Sequence, residues 1–600
     1  MSDTPNVSME DNGEALHGFE IADYIVFVFM LLVCFCIGIY YGFCTGKVSA
    51  TEYLMGGRNM QIFPVAMSLI SSVISGITLL GTPTEIYLYG IQYAYTVGGI
   101  MSMGVAVSYA YLPVFHNLQL TSTYEYLERR FNKQVRLLGS FIFSIGVILL
   151  LPIVIYVPAL AFNHVTGINV HIITPAVCLV CIFYTCMGGL KAVVWTDVVQ
   201  TSVMLGAMVL VMVKGTIDVG GFRVVWEHGV NSGRIEPPDL SPDPTVRHSV
   251  LSLCVGGFFF WLQVSALNQN MTQRYLTLPT MRAARIALSL FIMGAMVFIF
   301  ICSYCGLLIF ARYHNCDPLT TKRVARKDQL LPLLVMDTLK DLPGLSGLFI
   351  AGVFSAALST LSTSLNSMAA VILEDFYKSL FKHQLSPRKT NILLKTVVAV
   401  LGVTSVSLVF VVEKLGSVLE LTLSLIGVSN GASLGIFSMG LFLPWINSEG
   451  AIIGGLAGLG IMGWLCVGTQ AAIASGDITF LRKPVTVEGC TNTSVTPTTF
   501  IEVTNSTLNH QSNNVFVLYQ MSYMWYTLLG AVISMFVALL VSLLTCPTDI
   551  TTIDPMYLSP VIRRFLPKKK ANENDVDMTL IKQTNVCLQD STLRKKTSVL

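Results

Sequence analysis

Charged side chains are scarce in this sequence. Asp, Glu, Lys and Arg together make up 12% of its 600 residues, whereas hydrophobic residues make up 53%. Soluble globular domains carry about 25% charged residues, so the composition excludes that class and predicts an all-α polytopic membrane protein. We expect the lipid bilayer to surround most of the chain, and we expect no nucleic-acid partner.

The sequence also lacks the residue patterns of an enzyme. It contains no metal-ligand cluster, nucleophile triad, phosphate-binding Walker loop or pair of carboxylates. His164 and His171 lie at the ends of apolar runs, where an interfacial position explains them better than ligation to a metal. Enzymatic chemistry therefore has little support, and we expect neither an enzyme nor a cofactor.

Long apolar runs are abundant. A helix needs about 20 apolar residues to cross the hydrocarbon core of a bilayer, and thirteen runs are candidates for such helices. They cover residues 24–44, 61–82, 91–115, 137–163, 172–190, 192–213, 249–273, 286–311, 344–373, 396–412, 421–448, 451–476 and 516–545. The first run has no small-residue cleavage site after it, so we interpret it as a retained helix and not as a signal peptide.

The distribution of Lys and Arg predicts the orientation, because short cytoplasmic loops carry an excess of these residues. It favours an extracellular N-terminus and a cytoplasmic C-terminus. We expect the protein in the plasma membrane. Residues 1–23 are then an extracellular segment and 24–545 the transmembrane core. Within that core, 477–515 form an extracellular loop, and 546–600 follow as a cytoplasmic tail.

Glycosylation sequons and two cysteines agree with this orientation. Asn6, Asn492 and Asn505 begin Asn-X-Ser/Thr sequons, and all three fall outside, where this modification takes place. Cys316 and Cys490 also fall in extracellular loops, where disulfides persist. A bridge between these two cysteines is therefore a hypothesis.

The C-terminal tail carries two further signals. The segment "RRFLPKKK" (563–570) is a basic cluster of the kind that binds the cytoplasmic membrane surface. The chain ends in "TSVL", with Ser598 two residues before Leu600, and this ending resembles a ligand for PDZ modules. A PDZ-domain protein is thus a candidate partner.

Two runs combine glycine with polar residues where a lipid-facing helix would carry leucine. They are "PVAMSLISSVISGITLLGTP" (64–83) and "SLCVGGFFFWLQVSALNQNMTQ" (252–273), and we predict that both are discontinuous. Interrupted helices occur near the substrate and ion sites of transporters built from two inverted repeats. With five helices each, residues 61–213 and 249–448 form two such repeats that both begin with an interrupted helix. Close helix packing is the alternative role of Gly and Ser.

The ninth run contains "VFSAALSTLSTSLNSMAA" (353–370), which has seven hydroxyl side chains and one asparagine. A single hydroxyl in a membrane helix can bond the carbonyl one turn back, but seven are harder to explain in this way. A dehydrated monovalent cation needs about five or six oxygens, and hydroxyls with freed carbonyls supply them without a buried carboxylate. The stretch therefore indicates a cation site.

One acid, Asp197 in "AVVWTDVVQT", lies within the thirteen runs. An ionisable residue inside a span is by default a candidate functional residue. The alternative is a charge that reaches the nearby cytoplasmic interface. Gln200, one turn further along, and the amides of Asn268 and Gln269 are candidates to complete a polar site around Asp197.

Several motifs together resemble one family. They are "VAMSLISSVISGITLLGTPTEIYLYG" (65–90), "TSTYEYLERRFNK" (121–133), "GGLKAVVWTDVVQT" (188–201), "NQNMTQRY" (268–275) and "LSTLSTSLNSMAAVILEDF" (358–376). From about residue 22 to 545 the chain resembles the solute:sodium symporters, in the branch with the sodium-coupled monocarboxylate, multivitamin and iodide transporters. The resemblance implies a LeuT-type fold of 5+5 inverted repeats, with one helix before the repeats and two after them.

The resemblance also implies two sodium sites. The first takes backbone and hydroxyl oxygens from two facing helices. Its ligands are the backbone oxygens of Ser71, Ile74 and Ala356 and the hydroxyls of Ser359 and Thr360. The second site is centred on the acid. Its residues are Asp197, Gln200 and Gln269, with Ser72 nearby.

A substrate pocket lined by Val73, Thr78, Trp261 and Leu423 is implied in the same way. Monocarboxylate members carry Thr at the position of Thr78, where iodide carriers have Gln and multivitamin carriers Ala. The sequence departs from the family in three places, so the substrate does not transfer with the family. These places are Leu88 in place of Arg, Met271 in place of Gln, and "GVSNGASLG" (427–435) in place of a Gly-Pro-rich segment.

The function that this resemblance implies is a sodium-coupled electrogenic symporter that imports a small organic anion by alternating access, with sodium as the coupling ion. A monocarboxylate is the first candidate for the cargo, and vitamins such as biotin and pantothenate, or iodide, are alternatives. A sugar or choline would require a more polar or acidic pocket. An alternative of a different class is an uncoupled channel or a sodium-responsive sensor with the same fold.

Overall fold

The computed structural model describes residues 19–44, 49–324, 326–339, 342–381, 385–413, 418–490 and 515–565, with the backbone alone for 418–425. Every regular element in these ranges is helical, which confirms the all-α prediction. The helices before residue 240 are α1 (Ile21–Ile39), α2 (Ala50–Met55), α3 (Ile62–Val73), α4 (Gly76–Tyr89), α5 (Thr96–Ala106), α6 (Leu112–Leu118), α7 (Glu125–Arg130), α8 (Lys133–Thr166), α9 (Val170–Val219) and α10 (Phe222–Asn231).

The helices after residue 240 complete the bundle. They are α11 (Gly257–Ala266), α12 (Gln269–Tyr275), α13 (Met281–Tyr313), α14 (Leu330–Leu339), α15 (Leu345–Val371), α16 (Lys378–Leu380), α17 (Pro387–Val412), α18 (Val418–Phe442), α19 (Ser448–Ala474), α20 (Tyr526–Leu544) and α21 (Pro560–Arg563). Single π-helical turns adjoin α1, α5, α11 and α15. They cover Tyr40–Cys44, Val107–Tyr111, Ser252–Gly256 and Ile372–Tyr377.

Nine helices in the described ranges are long and apolar enough to cross a bilayer, or ten when α3 and α4 count as one bent span. The thirteen predicted runs differ from this number for identifiable reasons. α9 holds two predicted runs in its 50 residues. The seventh and eleventh runs contain the shorter apolar helices Ser252–Ala266 and Ile426–Phe442. The orientation of the termini stays a prediction.

The junction inside α9 lies at a predicted boundary. Runs 172–190 and 192–213 are predicted as separate helices, and the backbone leaves the helical conformation between them at Gly189, which has φ 55° and ψ −149°. A side chain is disfavoured at this positive φ. A Cβ on Gly189 would also lie 2.7 Å from the backbone oxygen of Tyr53. Glycine therefore allows the sharp change of direction without a loop.

Both runs predicted to be discontinuous are broken. α3 ends at Val73, Ile74 leaves the helical region with φ −80° and ψ 88°, and α4 begins at Gly76. The two halves are bent by 58°. The second break follows α11, and Asn268 caps the new helix α12 by accepting a hydrogen bond from the backbone N–H of Asn270. Each predicted repeat thus begins with a broken helix, and the repeat boundaries themselves stay a prediction.

α15 lies at the centre of the bundle. Every residue from Phe349 to Val371 is buried, and α15 packs against α1, α3, α8, α9 and α17. Small residues allow this close packing: a Cβ on Gly352 would lie 3.1 Å from the Cβ of Ala207 in α9. The hydroxyl-rich stretch therefore contacts other helices on all sides and not lipid.

Side chains of the 121–133 motif form hydrogen bonds with residues at the ends of other helices. Arg130 donates to the carbonyl of Pro444, just after α18, at 2.9 Å. Ser122 donates to the buried carboxylate of Asp375, in the π-helical turn that follows α15, at 2.5 Å. A basic side chain suits the carbonyls at a helix C-terminus, so the motif stabilises this end of the bundle.

A disulfide joins Cys316, which follows α13, to Cys490, with 5.2 Å between their Cα atoms. This is the pairing predicted from the sequence. Two backbone hydrogen bonds accompany it: Gly489 donates to Asn315 at 2.9 Å, and Asp317 donates to Thr486 at 3.0 Å. The segment after α13 is thereby fixed to the segment that precedes residue 491.

Candidate ion and substrate site

The break between α3 and α4 lies along α15. At one end of the break, a Cβ on Gly76 would lie 3.6 Å from the carbonyl oxygen of Val353. At the other end, Ser72 Oγ is 3.2 Å from Thr363 Oγ1. The broken backbone therefore runs beside the part of α15 between Val353 and Thr363. Three predicted sodium ligands lie in that part: Ala356, Ser359 and Thr360.

The break also releases backbone oxygens. The N–H of Ser75 donates to the carbonyl of Val73 at 3.0 Å, whereas in a continuous α-helix it would donate to Ser71. The carbonyl of Ser71 thus loses its usual helical partner. On the facing helix, Thr360 Oγ1 donates to the carbonyl of Ala356 at 3.0 Å. Since that bond uses only the hydroxyl proton, the lone pairs of Thr360 Oγ1 stay available to a cation.

Asp197 is 0% exposed in α9, and donors from three other helices surround its carboxylate. Ser359 of α15 donates to one oxygen at 2.6 Å. Ser68 of α3 and Arg274 of α12 donate to the other oxygen, Arg274 at 3.2 Å. Ser359 therefore belongs both to this cluster and to the predicted first sodium site, and it links the two.

Arg274 belongs to this cluster, although it is not among the residues predicted from the sequence. Its guanidinium is 1% exposed, and it also donates to the hydroxyls of Ser68 and Thr363 and, at 2.7 Å, to the carbonyl of Asn270. Buried arginine is almost always paired. The available signal was a basic residue in the short half-helix after the predicted break, since the one acid inside the spans needs a compensating charge.

Ser72 and Gln200 are also predicted for the second sodium site, and they form hydrogen bonds with different helices. Ser72 donates to the carbonyl of Ser68 at 2.5 Å and so adjoins the Asp197 cluster. Gln200 donates to Cys34 Sγ at 3.5 Å, and its carbonyl oxygen has no hydrogen-bond partner among the described residues.

Gln269 is held by a different segment. Its carbonyl oxygen accepts from the backbone N–H and the hydroxyl of Thr123, both at 2.8 Å, and its amide donates to the carbonyl of Thr121 at 3.0 Å. Both ends of the amide are therefore engaged with the 121–133 motif. A role for Gln269 beside Asp197 stays a prediction.

Two of the four predicted substrate residues lie beside the break, and the other two belong to α11 and α18. Val73 and Thr78 are half-buried on either side of it. Trp261 in α11 is buried and donates from Nε1 to Thr96 Oγ1 at 3.4 Å. Leu423 belongs to α18, which packs against α11, and its side chain lies outside the described residues.

A second ion pair lies at the opposite end of the broken helix, on α4. Arg247 is 2.7 Å from the carboxylate of Glu85, and its guanidinium lies 4.4 Å from the ring centres of both Tyr89 and Phe480. The adjacent His248 lies 3.4 Å from the same carboxylate. Burial lowers the pKa of His248 to about 4, against the attraction of Glu85. His248 is therefore neutral at neutral pH.

Several predicted features fall outside the described residues. They are the glycosylation sequons at Asn6, Asn492 and Asn505 and the PDZ-like ending from Ser598 to Leu600.

A helical bundle that crosses the membrane many times, with two broken helices and a buried hydroxyl-rich helix beside one break, is the architecture of an ion-coupled membrane transporter. The comparison with solved structures agrees. The chain aligns over 88% of its length with 99% of a Na⁺-coupled sialic acid symporter in its substrate-bound outward-open state, with a TM-score of 0.70 and 22% sequence identity. At that identity the match shows the shared LeuT-type fold alone.

Sequence comparisons identify the family. Residues 53–458 match the model of the sodium:solute symporter family. The chain is 36% identical to human sodium-coupled monocarboxylate transporter 1, over 91% of each chain. It is 38% identical to the Xenopus laevis transporter of that name, over 88% of this chain and 86% of that one. It is 37% identical to the human sodium/iodide cotransporter, over 90% and 86%. The chain belongs to the sodium:solute symporter family.

Proposed function

We propose that the protein is an electrogenic symporter that imports a small monocarboxylate with sodium ions, by alternating access. The observation that carries the proposal is the freed Ser71 carbonyl beside the oxygens of α15. We assign the first sodium ion to this place. Its ligands are the backbone oxygens of Ser71, Ile74 and Ala356 and the hydroxyls of Ser359 and Thr360.

We infer the chemical class of the transported substrate from the names of related transporters. The human and Xenopus laevis proteins named sodium-coupled monocarboxylate transporter 1 are 36% and 38% identical to this chain. We place the anion between Val73, Thr78, Trp261 and Leu423, beside the break. Since the human sodium/iodide cotransporter is 37% identical, iodide is the second candidate.

A second sodium ion would make transport of a monoanion electrogenic. A tenfold sodium gradient supplies about 1.4 kcal/mol per ion, and a potential near 60 mV supplies about 1.4 kcal/mol per charge. Two sodium ions with one monoanion therefore provide about 4 kcal/mol, or roughly a thousandfold accumulation. One sodium ion with one monoanion would carry no net charge.

We assign the second ion to Asp197, together with Ser72 and Gln200. A sodium ion there competes with Arg274, because two cations beside one buried carboxylate leave an uncompensated charge. Binding of the second ion therefore requires that Arg274 withdraws. Gln269 joins this site only when its bonds to the 121–133 motif open.

The membrane orientation is part of the proposal. The Cys316–Cys490 disulfide supports an extracellular position for both cysteines, because disulfides persist in oxidising compartments. We therefore place the N-terminus outside and the C-terminus inside at the plasma membrane. Glycosylation at Asn6, Asn492 or Asn505, and capture of the tail by a PDZ domain, are expected on opposite sides. Antibody access to terminal tags on intact cells checks the orientation.

Voltage clamp of expressing cells tests the function. A panel of lactate, butyrate, biotin, iodide and glucose is applied in sodium and then in N-methyl-D-glucamine, with uninjected cells as the control. We expect inward currents for the two monocarboxylates in sodium only. Currents for iodide alone would favour the second candidate. Equal currents without sodium would contradict the proposal and favour an uncoupled channel.

A further inference from the structure

The second half of the broken helix, α4, is held at the end that lies away from the break. The last carbonyls of a helix have no partner within it, and in α4 two of them are bonded by other parts of the chain. Nε of Arg234 donates to the carbonyl of Tyr87 at 2.8 Å. The backbone N–H of Lys483 donates to the carbonyl of Leu88, also at 2.8 Å. The end of α4 is therefore attached to the segment that follows α10 and to the 478–490 segment, which follows α19.

Arg234 is the centre of this attachment. Its side chain is 1% exposed, and its Nη1 donates to the carbonyl of Pro484 at 3.2 Å. Its own carbonyl accepts from the N–H of Ile91, just after α4, at 2.8 Å. Its guanidinium lies 3.6 Å from the ring centre of Phe310 in α13. Arg234 thus joins the end of α4 to α13 and to the 478–490 segment.

The charge of Arg234 is only partly compensated. No carboxylate in the described part of the chain forms an ion pair with it, although Asp317 attracts it from further away. Its Nη2 has no hydrogen-bond partner among the same residues. Cation–π attraction to Phe310 offsets part of the cost of burying the charge. Stability alone is therefore a poor explanation for an arginine at this place, and its contacts with α4 are the better one.

The segments that hold α4 are themselves fixed. The Cys316–Cys490 disulfide joins the 478–490 segment to the chain after α13. The hydroxyl of Tyr87, in the last turn of α4, donates to Asp317, the residue after Cys316. The end of α4 is thereby attached to a cross-linked part of the protein and not to a free loop.

The other end of α4 lies at the break. α4 is continuous from Gly76 to Tyr89 and has 14 residues, so it is about 21 Å long at about 1.5 Å per residue. Thr78, which we place in the substrate pocket, lies in its first turn. When one end of a helix is released, the helix can tilt and its other end changes position. The attachment at Tyr87 and Leu88 therefore helps to fix where Thr78 lies relative to α15.

We propose that Arg234 is a positioning residue for the transported substrate: it holds α4 in the orientation in which Thr78 can contact the substrate. When only a fraction of the molecules has the binding-competent orientation, the apparent affinity falls by that fraction. The inference rests on the proposed function, because the substrate pocket is assigned there. It adds a residue that is far from the pocket and acts through α4.

Voltage clamp with increasing lactate in sodium tests the proposal. We expect Arg234→Met to raise the half-saturating lactate concentration about tenfold, the equivalent of about 1.4 kcal/mol. Arg234→Lys should raise it less, because lysine keeps the charge but lacks the planar fork that reaches two carbonyls. Arg223→Met is the control, since Arg223 is 90% exposed and pairs with Glu227 in the same helix. Half-saturating concentrations equal to that of the control, even with lower surface expression, would make Arg234 merely structural and overturn the proposal.

Maleimide labelling of the purified protein in detergent separates this inference from the proposed function. The labelled site is Thr78→Cys, measured on its own peptide by mass spectrometry, alone and combined with Arg234→Met. We expect faster labelling of the combined variant, because a released α4 opens the break more often. Equal labelling rates would overturn the positioning role whether or not the protein transports lactate. Faster labelling in a protein without lactate currents would support the positioning role and refute the proposed function.

Discussion

At the scale of single residues, the pairing of Asp197 with Arg274 is the feature with the largest energetic consequence. Both side chains are at most 1% exposed, and every hydrogen bond described between them and Ser68, Ser359 or Thr363 crosses from one helix to another. A buried pair of this kind contributes little net stability, but the loss of one partner leaves an uncompensated charge. The pair therefore fixes how four helices meet.

Replacing Arg274 tests whether the Asp197–Arg274 pair holds the helices together. We expect Arg274→Met to lower the free energy of unfolding by about 3–5 kcal/mol, because the carboxylate of Asp197 is then buried alone. The double variant Asp197→Asn with Arg274→Met should recover part of the loss. Thermal melting in detergent measures both. A single variant as stable as the wild type would show that the pair does not hold the helices.

Thr360→Ala tests the first sodium site. The change removes one of about five or six oxygens, and we expect the sodium concentration for half-maximal uptake to rise about tenfold, the equivalent of about 1.4 kcal/mol. Thr166→Ala is the control, since Thr166 also donates to the carbonyl one turn back, that of Phe162, at 2.8 Å. Unchanged sodium dependence in a surface-expressed Thr360→Ala protein would remove Thr360 from the site.

The lowered pKa of His248 predicts that the stability of the fold depends on pH. Its folded pKa of about 4 lies below the ordinary value of about 6.5, so the unfolded chain binds more protons between these values. Stability is then complete above pH 6.5 and falls as the pH drops toward 4. We expect a loss of about 2 kcal/mol at pH 5. His248→Gln should reduce this loss in melting curves, and an identical loss in the variant would refute the assignment.

At the scale of elements, the broken helix works because its two halves fit against rigid neighbours. α3 is joined to α9, α12 and α15 by polar contacts from Ser68 and Ser72. α4 begins at Gly76, which lies between Pro158 of α8 and the backbone of α15. The position of the break relative to α15 is therefore set by packing on both sides.

Gly76→Ala tests this packing. The new Cβ would lie 2.8 Å from the ring of Pro158, closer than a rigid ring can accept, so α4 has to shift away from α15. We expect a loss of uptake of at least several-fold, with a reduced apparent sodium affinity. Gly206→Ala in α9 is the matched control, because no atom lies within 4 Å of its added Cβ. Equal uptake in the two variants would show that the break tolerates displacement.

At the scale of the whole molecule, ion pairs lie beside both halves of the broken helix, one of them fully buried and the other half-buried. Arg274 with Asp197 adjoins α3, and Arg247 with Glu85 adjoins α4. Alternating access requires that the two sides of the site open in turn. We expect each pair to rearrange when its own half of the broken helix moves.

The disulfide constrains the molecule over a long stretch of chain. It joins residues 174 apart in sequence, and in the chain-entropy model a loop of this size gains about 5 kcal/mol from cross-linking. We expect Cys316→Ser to lower the melting temperature and surface expression, and reductant to have the same effect on the wild type. Cys36→Ser, at an exposed free cysteine, is the control. A Cys316→Ser protein that melts like the Cys36→Ser protein would show that the bridge adds no stability.

The sequence by itself determined the apolar runs, the two interrupted helices and the hydroxyl-rich stretch of α15. These are local properties, because transfer into a bilayer and the breakage of a helix depend on residues within one segment. Tertiary structure alone decided that Arg274 meets Asp197, that Gln269 bonds the 121–133 motif, and that α9 turns at Gly189 without a loop. The partner of a buried polar group depends on which helices pack together. The hydrophobic periodicity of one helix does not predict which other helix it packs against.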